Sequence, residues 1–300
     1  MSSSFKDKMR QAANAFAPLL SPISKQILEV RYWSRFKRRL NLKNPTLFFD
    51  KIYWLSLNTD TSLWTVLADK YAVREYVEKV VGKEVLNDLY GVYNAPEEID
   101  YRQLPQSFVL KTNNACATNI IVHSKEELDE REANKQLGKW LNFHYGEVTG
   151  ELHYTRIPPK IIAEKLLVQN SGIESSLVDY KIYCFSGEPV YILTTSDRVF
   201  ETHAYSRMMY DVDWNPHPDF FNKEALLREI ERPESLDLML DSAAKLSQSI
   251  PFVRIDFYEI NQKPVFGEMT FMPGMADNYT YEFQKELGDL ITISQDNEKG

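Results

Sequence analysis

Cysteine is nearly missing from this chain: Cys116 and Cys184 are the two in 300 residues, far apart and without a metal-ligand spacing. That excludes a disulfide framework and fits free thiols in a reducing compartment. No apolar run approaches the roughly 20 residues that cross a bilayer. Pro18 and Pro22 interrupt the apolar stretch 16–23, so no unbroken secretory core forms there either, and a cytoplasmic protein is expected. Neither Gly-x-Gly-x-x-Gly nor a Walker sequence occurs, which removes the main support for dinucleotide and P-loop readings. His123, His144, His153, His203 and His217 show no zinc spacing, and nothing in the sequence places a Ser-His-Asp set together. A basic balance is lacking as well. At a net charge of −8 the chain is a poor match to nucleic acid.

What is present describes an ordinary soluble protein, 43% hydrophobic and 26% charged, long enough for two compact units or one large one. The charge is unevenly placed. Residues 1–40 hold nine Lys or Arg against Asp7 and Glu29, and Phe5, Met9, Ala12, Phe16 and Leu19 recur there at helical spacing. Such an arm suits an anionic surface, inner-leaflet lipid or acidic glycan; a helix packed on the body with solvated Lys and Arg fits the pattern equally well.

Further along, Asp69 is placed to cap a helix with Ala72, Val73, Tyr76, Val77 and Val80 on one stripe and Gly82 as its stop, putting Lys70 in the first turn. A second helix is expected over 84–89. Residues 108–111 and 119–122 read as strands joined by the small-residue loop 112–118, and Ser124 with Glu127 forms a capping box for the helix carrying Leu128, Leu137, Trp140 and Leu141. A buried strand covers 160–164, residues 179–185 and 190–194 form a hairpin, and a helix over 235–247 precedes a second hairpin. Strands dominated by hairpins, with helices between, make an α+β layout.

The last hairpin carries the most chemistry. With Asn261–Lys263 as a three-residue loop, Asp256 falls opposite Glu268, two carboxylates within about 5 Å that repel unless a cation lies between them. Val253, Ile255 and Phe257 point one way; Arg254 and Asp256 point the other with Glu268 and Thr270. A small oxygen site of this kind suits Mg2+ bridging phosphates. Lys70, Lys111 and Lys181 are positioned to neutralise phosphate oxygens, with Arg254 to stabilise a transferring phosphoryl group. Tyr210, Asp211, Asp213 and Trp214 form an aromatic–acidic cluster that reads either as an acceptor-sugar platform or as core.

Residues 68–74, 108–113, 179–181, 197–198, 252–256 and 267–274, in that order, resemble the TupA-like branch of the ATP-grasp superfamily, associated with teichuronopeptide and other surface-polysaccharide synthesis; the likeness runs from about Arg31 to Ile293. The resemblance implies an ATP-grasp fold, two α+β subdomains with ATP between their antiparallel sheets, preceded here by the basic helical arm. It divides the chain into the extension 1–40, a helical and mixed region 41–105, a small subdomain 106–165, a C-terminal subdomain 166–293 with the metal site, and a polar tail 294–300. It implies that Lys70, Lys111, Asn113, Glu164, Lys165, Leu167 and Lys181 bind ATP, that Asp256, Glu268 and Thr270 hold Mg2+, and that Arg254, Lys181 and Arg198 serve the chemistry. The implied activity is a carboxylate–amine ligase that makes an acyl phosphate and releases ADP and phosphate, joining a uronic acid of a capsule or cell-wall polysaccharide, or its precursor, to an amino acid. The alternatives are a glycan kinase and a non-catalytic nucleotide-binding assembly subunit. Two departures stand out. Relatives carry a Gly-rich stretch where this chain has Asn114-Ala115-Cys116-Ala117-Thr118, and Thr270 stands where many superfamily members have Asn.

Overall fold

A computed structural model describes residues 21–168, 177–199, 204–223, 225–274 and 279–293. The amphipathic pattern of residues 5–19 and the tail 294–300 lie outside the described residues. The chain forms two compact units, each assembled from three separate stretches.

The first unit comprises the described parts of Met1–Leu40, Asp60–Val73 and Asn87–Leu166. Helices α1 (Ser24–Phe36) and α3 (Ser62–Ala68) belong to it; α2 (Phe48–Asn58) and most of α4 (Val73–Val81) belong to the second unit. Its sheet contains β1 (Leu89–Tyr93), β2 (Phe108–Thr112), β3 (Asn119–Val122) and β4 (Ile161–Lys165) in the order β1-β4-β2-β3, antiparallel throughout. Helices α5 (Glu130–Leu141) and α6 (Tyr145–Thr149) follow β3. Alternation along β2 buries Phe108 and Leu110 against Ile161, Ala163 and Leu137, with Trp140 and Leu141 packed on the same core.

The second unit holds Asn41–Thr59, Arg74–Leu86 and the described parts of Leu167–Gly300. Its strands are β5 (Asp179–Phe185), β6 (Glu188–Val199), β7 (Ala204–Asp211), β8 (Val253–Ile260) and β9 (Lys263–Thr270), ordered β7-β6-β5-β8-β9 and all antiparallel. Helix α7 (Leu236–Leu246) precedes β8, and α8 (Tyr281–Asp289) packs on α2. The central strand β5 is buried along its whole length. Phe48, Tyr183 and Phe252 cluster their rings in this core, Phe48 meeting Phe252 edge to face at 4.9 Å.

Four local expectations are corrected. The loop between β8 and β9 has two residues: Ile260 pairs with Lys263, and both Asn261 and Gln262 adopt left-handed backbone, φ 51° and 64°, as a tight hairpin of this twist needs. Asp69 ends α3, and its carboxylate accepts from the backbone N–H groups of Tyr71 (2.8 Å) and Ala72 (3.2 Å), so Lys70 lies in the turn before α4. Over 84–89 only a 3-10 turn, Lys83–Val85, forms before the chain enters β1, because pairing with β4 outweighs a propensity spread over so few residues. Helix α5 starts six residues after Ser124: Asp129 is its cap, accepting from the N–H of Glu132 at 3.0 Å, whereas Ser124 precedes a 3-10 turn at Lys125–Glu127.

Candidate active site

Strands β5, β8 and β9 present one continuous polar face. On β8 the apolar residues Val253, Ile255 and Phe257 are fully buried on the opposite side, leaving Arg254 and Asp256 facing Lys181 of β5 and Glu268 and Thr270 of β9. The opposition of Asp256 and Glu268 arises from two features that compensate. A two-residue loop alone would set Asp256 against Gly267; a bulge between the Asp256 and Phe257 pairs shifts the register by one and restores Asp256 to Glu268. Gly267 is the extra residue. A Cβ there would lie 3.0 Å from the Asp256 carbonyl oxygen, so a larger residue would have to push that backbone away by a few tenths of an ångström.

Asp256, 3% exposed, is gripped from two sides. Arg254 donates from Nε to Oδ1 and from Nη2 to Oδ2, both at 2.7 Å, and Lys181 Nζ donates to Oδ2 at 2.7 Å. Burial opposes the charge on Arg254, but the Asp256 carboxylate outweighs it and holds the guanidinium well above its ordinary pKa. Arg254 Nη2 also reaches Thr270 Oγ1 (3.1 Å) and Glu268 Oε1 (3.4 Å), and the Thr270 hydroxyl donates to Glu268 at 3.1 Å. The chain of charges continues past Lys181 to Asp179 (3.6 Å), which accepts from the Thr195 hydroxyl at 2.9 Å. Burial, then the nearby carboxylate of Asp179, keeps the Tyr258 phenol well above its usual range, and Tyr258 hydrogen-bonds to Asp179.

Asp179 and Tyr258 are absent from the residues read as functional in the sequence. A signal for Asp179 existed: it stands two positions before Lys181, hence on the same face of β5. Tyr258 stands two positions after Asp256 but looked like part of the apolar strand.

Two carboxylates and a hydroxyl on one face are hard oxygen donors of the type Mg2+ takes. Among the described residues no group of three or more His, Cys, Asp or Glu gathers as a metal centre, so a cation here would complete its shell with waters or phosphate oxygens. The donor set fits the ion; both oxygens of Asp256 carry protein donors that a cation would have to share or displace. Arg198 lies in β6 by its backbone, and its side chain is outside the described residues. Leu167 follows β4, half-buried.

In the first unit, Lys111 on β2 and Glu164 on β4 pair at 2.7 Å across the sheet, with side chains 23% and 9% exposed. Lys165 points elsewhere, to Asp88 at 3.2 Å. Lys70 Nζ donates to the Ala115 carbonyl at 2.7 Å. Asn113 is fully buried and its side chain is spent on structure: Nδ2 donates to Asp69 (2.8 Å) and to the Pro158 carbonyl (3.1 Å), while Oδ1 accepts from Lys160 N–H (2.7 Å). The loop it opens is closed by Thr112 and Thr118, whose hydroxyls bond at 2.9 Å, and Ala117 takes the positive φ of 56°.

The aromatic–acidic cluster forms no open platform. Tyr210 is buried and stacks on Trp214 at 4.1 Å, and Asp211 accepts from the backbone of Asp213 and Asn215 to shape the turn.

The sequence profile of the TupA-like ATP-grasp family matches residues 50–292. No curated protein matches the chain. Among solved structures it is similar to D-alanine–D-alanine ligase from Bacillus anthracis complexed with ATP, at 14% identity over 78% of this chain and 67% of that one, TM-score 0.49. It is also similar to the ATP-grasp ligase PsnB complexed with a phosphomimetic variant of its minimal precursor, Mg and ADP (10%, 76% and 58%, 0.43). D-cycloserine synthetase DcsG is a third (11%, 76% and 70%, 0.44). The chain thus spans 58% of the length of PsnB, and these likenesses lie below a TM-score of 0.5, so family membership rests on the profile.

Proposed function

The chain belongs to the TupA-like ATP-grasp family, and on that premise we propose that it is an ATP-dependent carboxylate–amine ligase. The observation that carries the proposal is the single polar face on which Lys181, Arg254, Asp256, Glu268 and Thr270 converge. A carboxylate oxygen of the substrate attacks the γ-phosphorus of ATP, the bond to the β-phosphate oxygen breaks, and ADP departs. An amine then attacks the acyl carbon, phosphate leaves, and the amine surrenders a proton to solvent. Arg254 and Lys181 supply positive charge where the phosphoryl group carries its negative charge, which lowers the barrier because the donors are already fixed in a buried setting. Asp256, Glu268 and Thr270 would hold Mg2+, which when bound neutralises phosphate oxygens.

Lys111 and Lys70 are proposed as further phosphate contacts, and Glu164, Lys165 and Leu167 as the segment facing adenine. Asn113 is proposed to position its loop rather than to touch nucleotide. Arg198 is kept as a contact to the transferring group on the family pattern alone. The proposed acceptor is a uronic-acid carboxylate of a surface polysaccharide or its precursor, and the proposed amine an amino acid.

The test is incubation with ATP, uronic-acid oligosaccharides and an amino-acid mixture, read by mass spectrometry. The ligase yields ADP, free phosphate and an amide one water lighter than the sum of its parts. A phosphorylated sugar without free phosphate would make the protein a kinase. Glu268→Gln should cut ADP formation by about a hundredfold or more; turnover like that of the unaltered protein would remove this face from the chemistry. If the unaltered protein consumes no nucleotide, the glycine-free loop at 114–118, tied down by Lys70, favours an assembly subunit.

The basic arm is proposed to dock on an anionic membrane face. Val30 (66%) and Trp33 (56%) stand exposed on α1, with Lys37 over the Trp33 ring at 4.9 Å. Amphipathic aromatic and basic side chains of this kind suit a lipid interface. No helix among the described residues is long and apolar enough to cross a membrane. Co-sedimentation with vesicles containing an anionic lipid, lost in Trp33→Ala, checks this.

A further inference from the structure

The proposed chemistry leaves one carboxylate of the β5, β8 and β9 face without a task. Asp179 stands two positions before Lys181 on β5, its side chain 7% exposed. Lys181 Nζ therefore meets two carboxylates at unequal distances, Asp256 Oδ2 at 2.7 Å and Asp179 Oδ1 at 3.6 Å. Asp179 is itself fixed in place. It lies opposite Thr195 of β6, whose hydroxyl donates to Oδ2 at 2.9 Å, and the Tyr258 phenol of β8 donates to the same carboxylate. Both of these partners are neutral hydroxyls, which orient a carboxylate without cancelling its charge.

Asp256 cannot offer an oxygen to a metal while every donor stays where it is. Its Oδ1 accepts from Arg254 Nε, and its Oδ2 accepts from both Arg254 Nη2 and Lys181 Nζ, all at 2.7 Å. The two cations are not equally easy to dislodge. Arg254 grips Asp256 through two bonds of a rigid planar fork, and the same guanidinium is tied to Thr270 and Glu268. Lys181 makes one bond to Asp256 from a flexible stem, so Lys181 is the donor that yields. With its side chain 11% exposed, a displaced ammonium has little access to water, and a buried cation without a counter-charge is strongly destabilising. Asp179 removes that cost. Ammonium–carboxylate hydrogen bonds run about 2.7–2.9 Å, so Lys181 completes one to Asp179 by a displacement of under about 1 Å.

We propose that Asp179 is a positioning residue that receives Lys181 when Asp256 turns to Mg2+, so that the ammonium passes from one carboxylate to the other within the face and never to solvent. The inference rests on the metal reading of Asp256 and Glu268 given above. One ammonium thus neutralises whichever carboxylate the metal leaves.

The test reads binding rather than turnover. The full chain is titrated with a non-hydrolysable ATP analogue in Mg2+ and again with a chelator, and the ratio of the two affinities isolates the part owed to the metal. Asp179→Asn, which keeps an acceptor for the Thr195 hydroxyl, should shrink that ratio by about tenfold, because Lys181 then stays on Asp256. In a Lys181→Met background the same substitution should leave the ratio unchanged within about twofold, whereas a long-range effect of the lost charge would lower it in both backgrounds. A second measurement needs no Asp179 variant. In the unaltered chain the nitrogen NMR resonance of the Lys181 ammonium, assigned by its disappearance in Lys181→Met, should shift on adding Mg2+ with the analogue and stay slow to exchange with water. Analogue binding no tighter with Mg2+ in the unaltered chain would remove the metal reading and this proposal with it. A ratio that Asp179→Asn leaves unchanged, an equal loss in the Lys181→Met background, or a Lys181 ammonium that exchanges freely with water once Mg2+ and analogue are bound would overturn the exchange alone.

Discussion

Asp256 and Glu268 face each other, yet they do not bear the same load. Asp256 answers two cations in a buried site, so Asp256→Asn leaves Arg254 and Lys181 without their carboxylate and should cost about 3–5 kcal/mol. The Glu268 side chain is 31% exposed, and Glu268→Gln should cost under about 1 kcal/mol. Urea unfolding of the two variants separates these values, and it identifies Glu268→Gln as the cleaner probe of chemistry. A second residue-scale prediction concerns pH. Burial, then the charge of Arg156, lowers His153 to about 3. Unfolded histidine binds its proton near pH 6.5, so between about 6.5 and 3 the unfolded chain holds more protons than the folded one. Stability should therefore fall as pH drops through that window, by up to about 1.4 kcal/mol per pH unit from this group. His153→Gln should flatten the slope of melting temperature between pH 7 and 5; an unchanged slope would refute the assignment.

At the scale of elements, the β8–β9 hairpin depends on a turn and a bulge that must agree. Gly267→Ala sets a methyl 3.0 Å from the Asp256 carbonyl oxygen and 3.3 Å from Tyr258 Cε2, an overpacking expected to cost about 1–3 kcal/mol and to loosen the register that sets Asp256 opposite Glu268. Gln262→Gly, at φ 64°, should raise stability by about 0.5 kcal/mol, since glycine accepts that conformation freely. Thermal melts of both variants against the unaltered chain test the pair, and opposite signs are required.

For the whole molecule, mass action supplies the test. A ligand that binds the folded chain alone stabilises it by about 2.7 kcal/mol at a hundred times its Kd. Millimolar Mg-ATP should raise the melting temperature by several degrees, ATP with a chelator by less, and Glu268→Gln should shrink the difference between the two. No shift with Mg-ATP would remove nucleotide binding altogether.

Much of this was decided locally. The two faces of β8 were readable from apolar alternation, β2, β3, β5 and the helix α7 as segments, and the family from motifs in order. The facing of Asp256 and Glu268 was legible too, though for a reason the residues concealed: a three-residue loop and a two-residue loop with a bulge yield the same pairing beyond Gly267. Sequence pattern governs which face a side chain takes, because that depends on a period of two along one strand. Tertiary structure alone decided that Lys181 and Arg254 share one carboxylate, that Asp179 and Tyr258 extend the network, and that Asn113 is spent on Asp69 and Pro158. Apart from Arg254 and Asp256, two positions apart on one strand, those pairings join residues tens of positions apart, and no local preference carries information about a partner that only folding brings within hydrogen-bond reach.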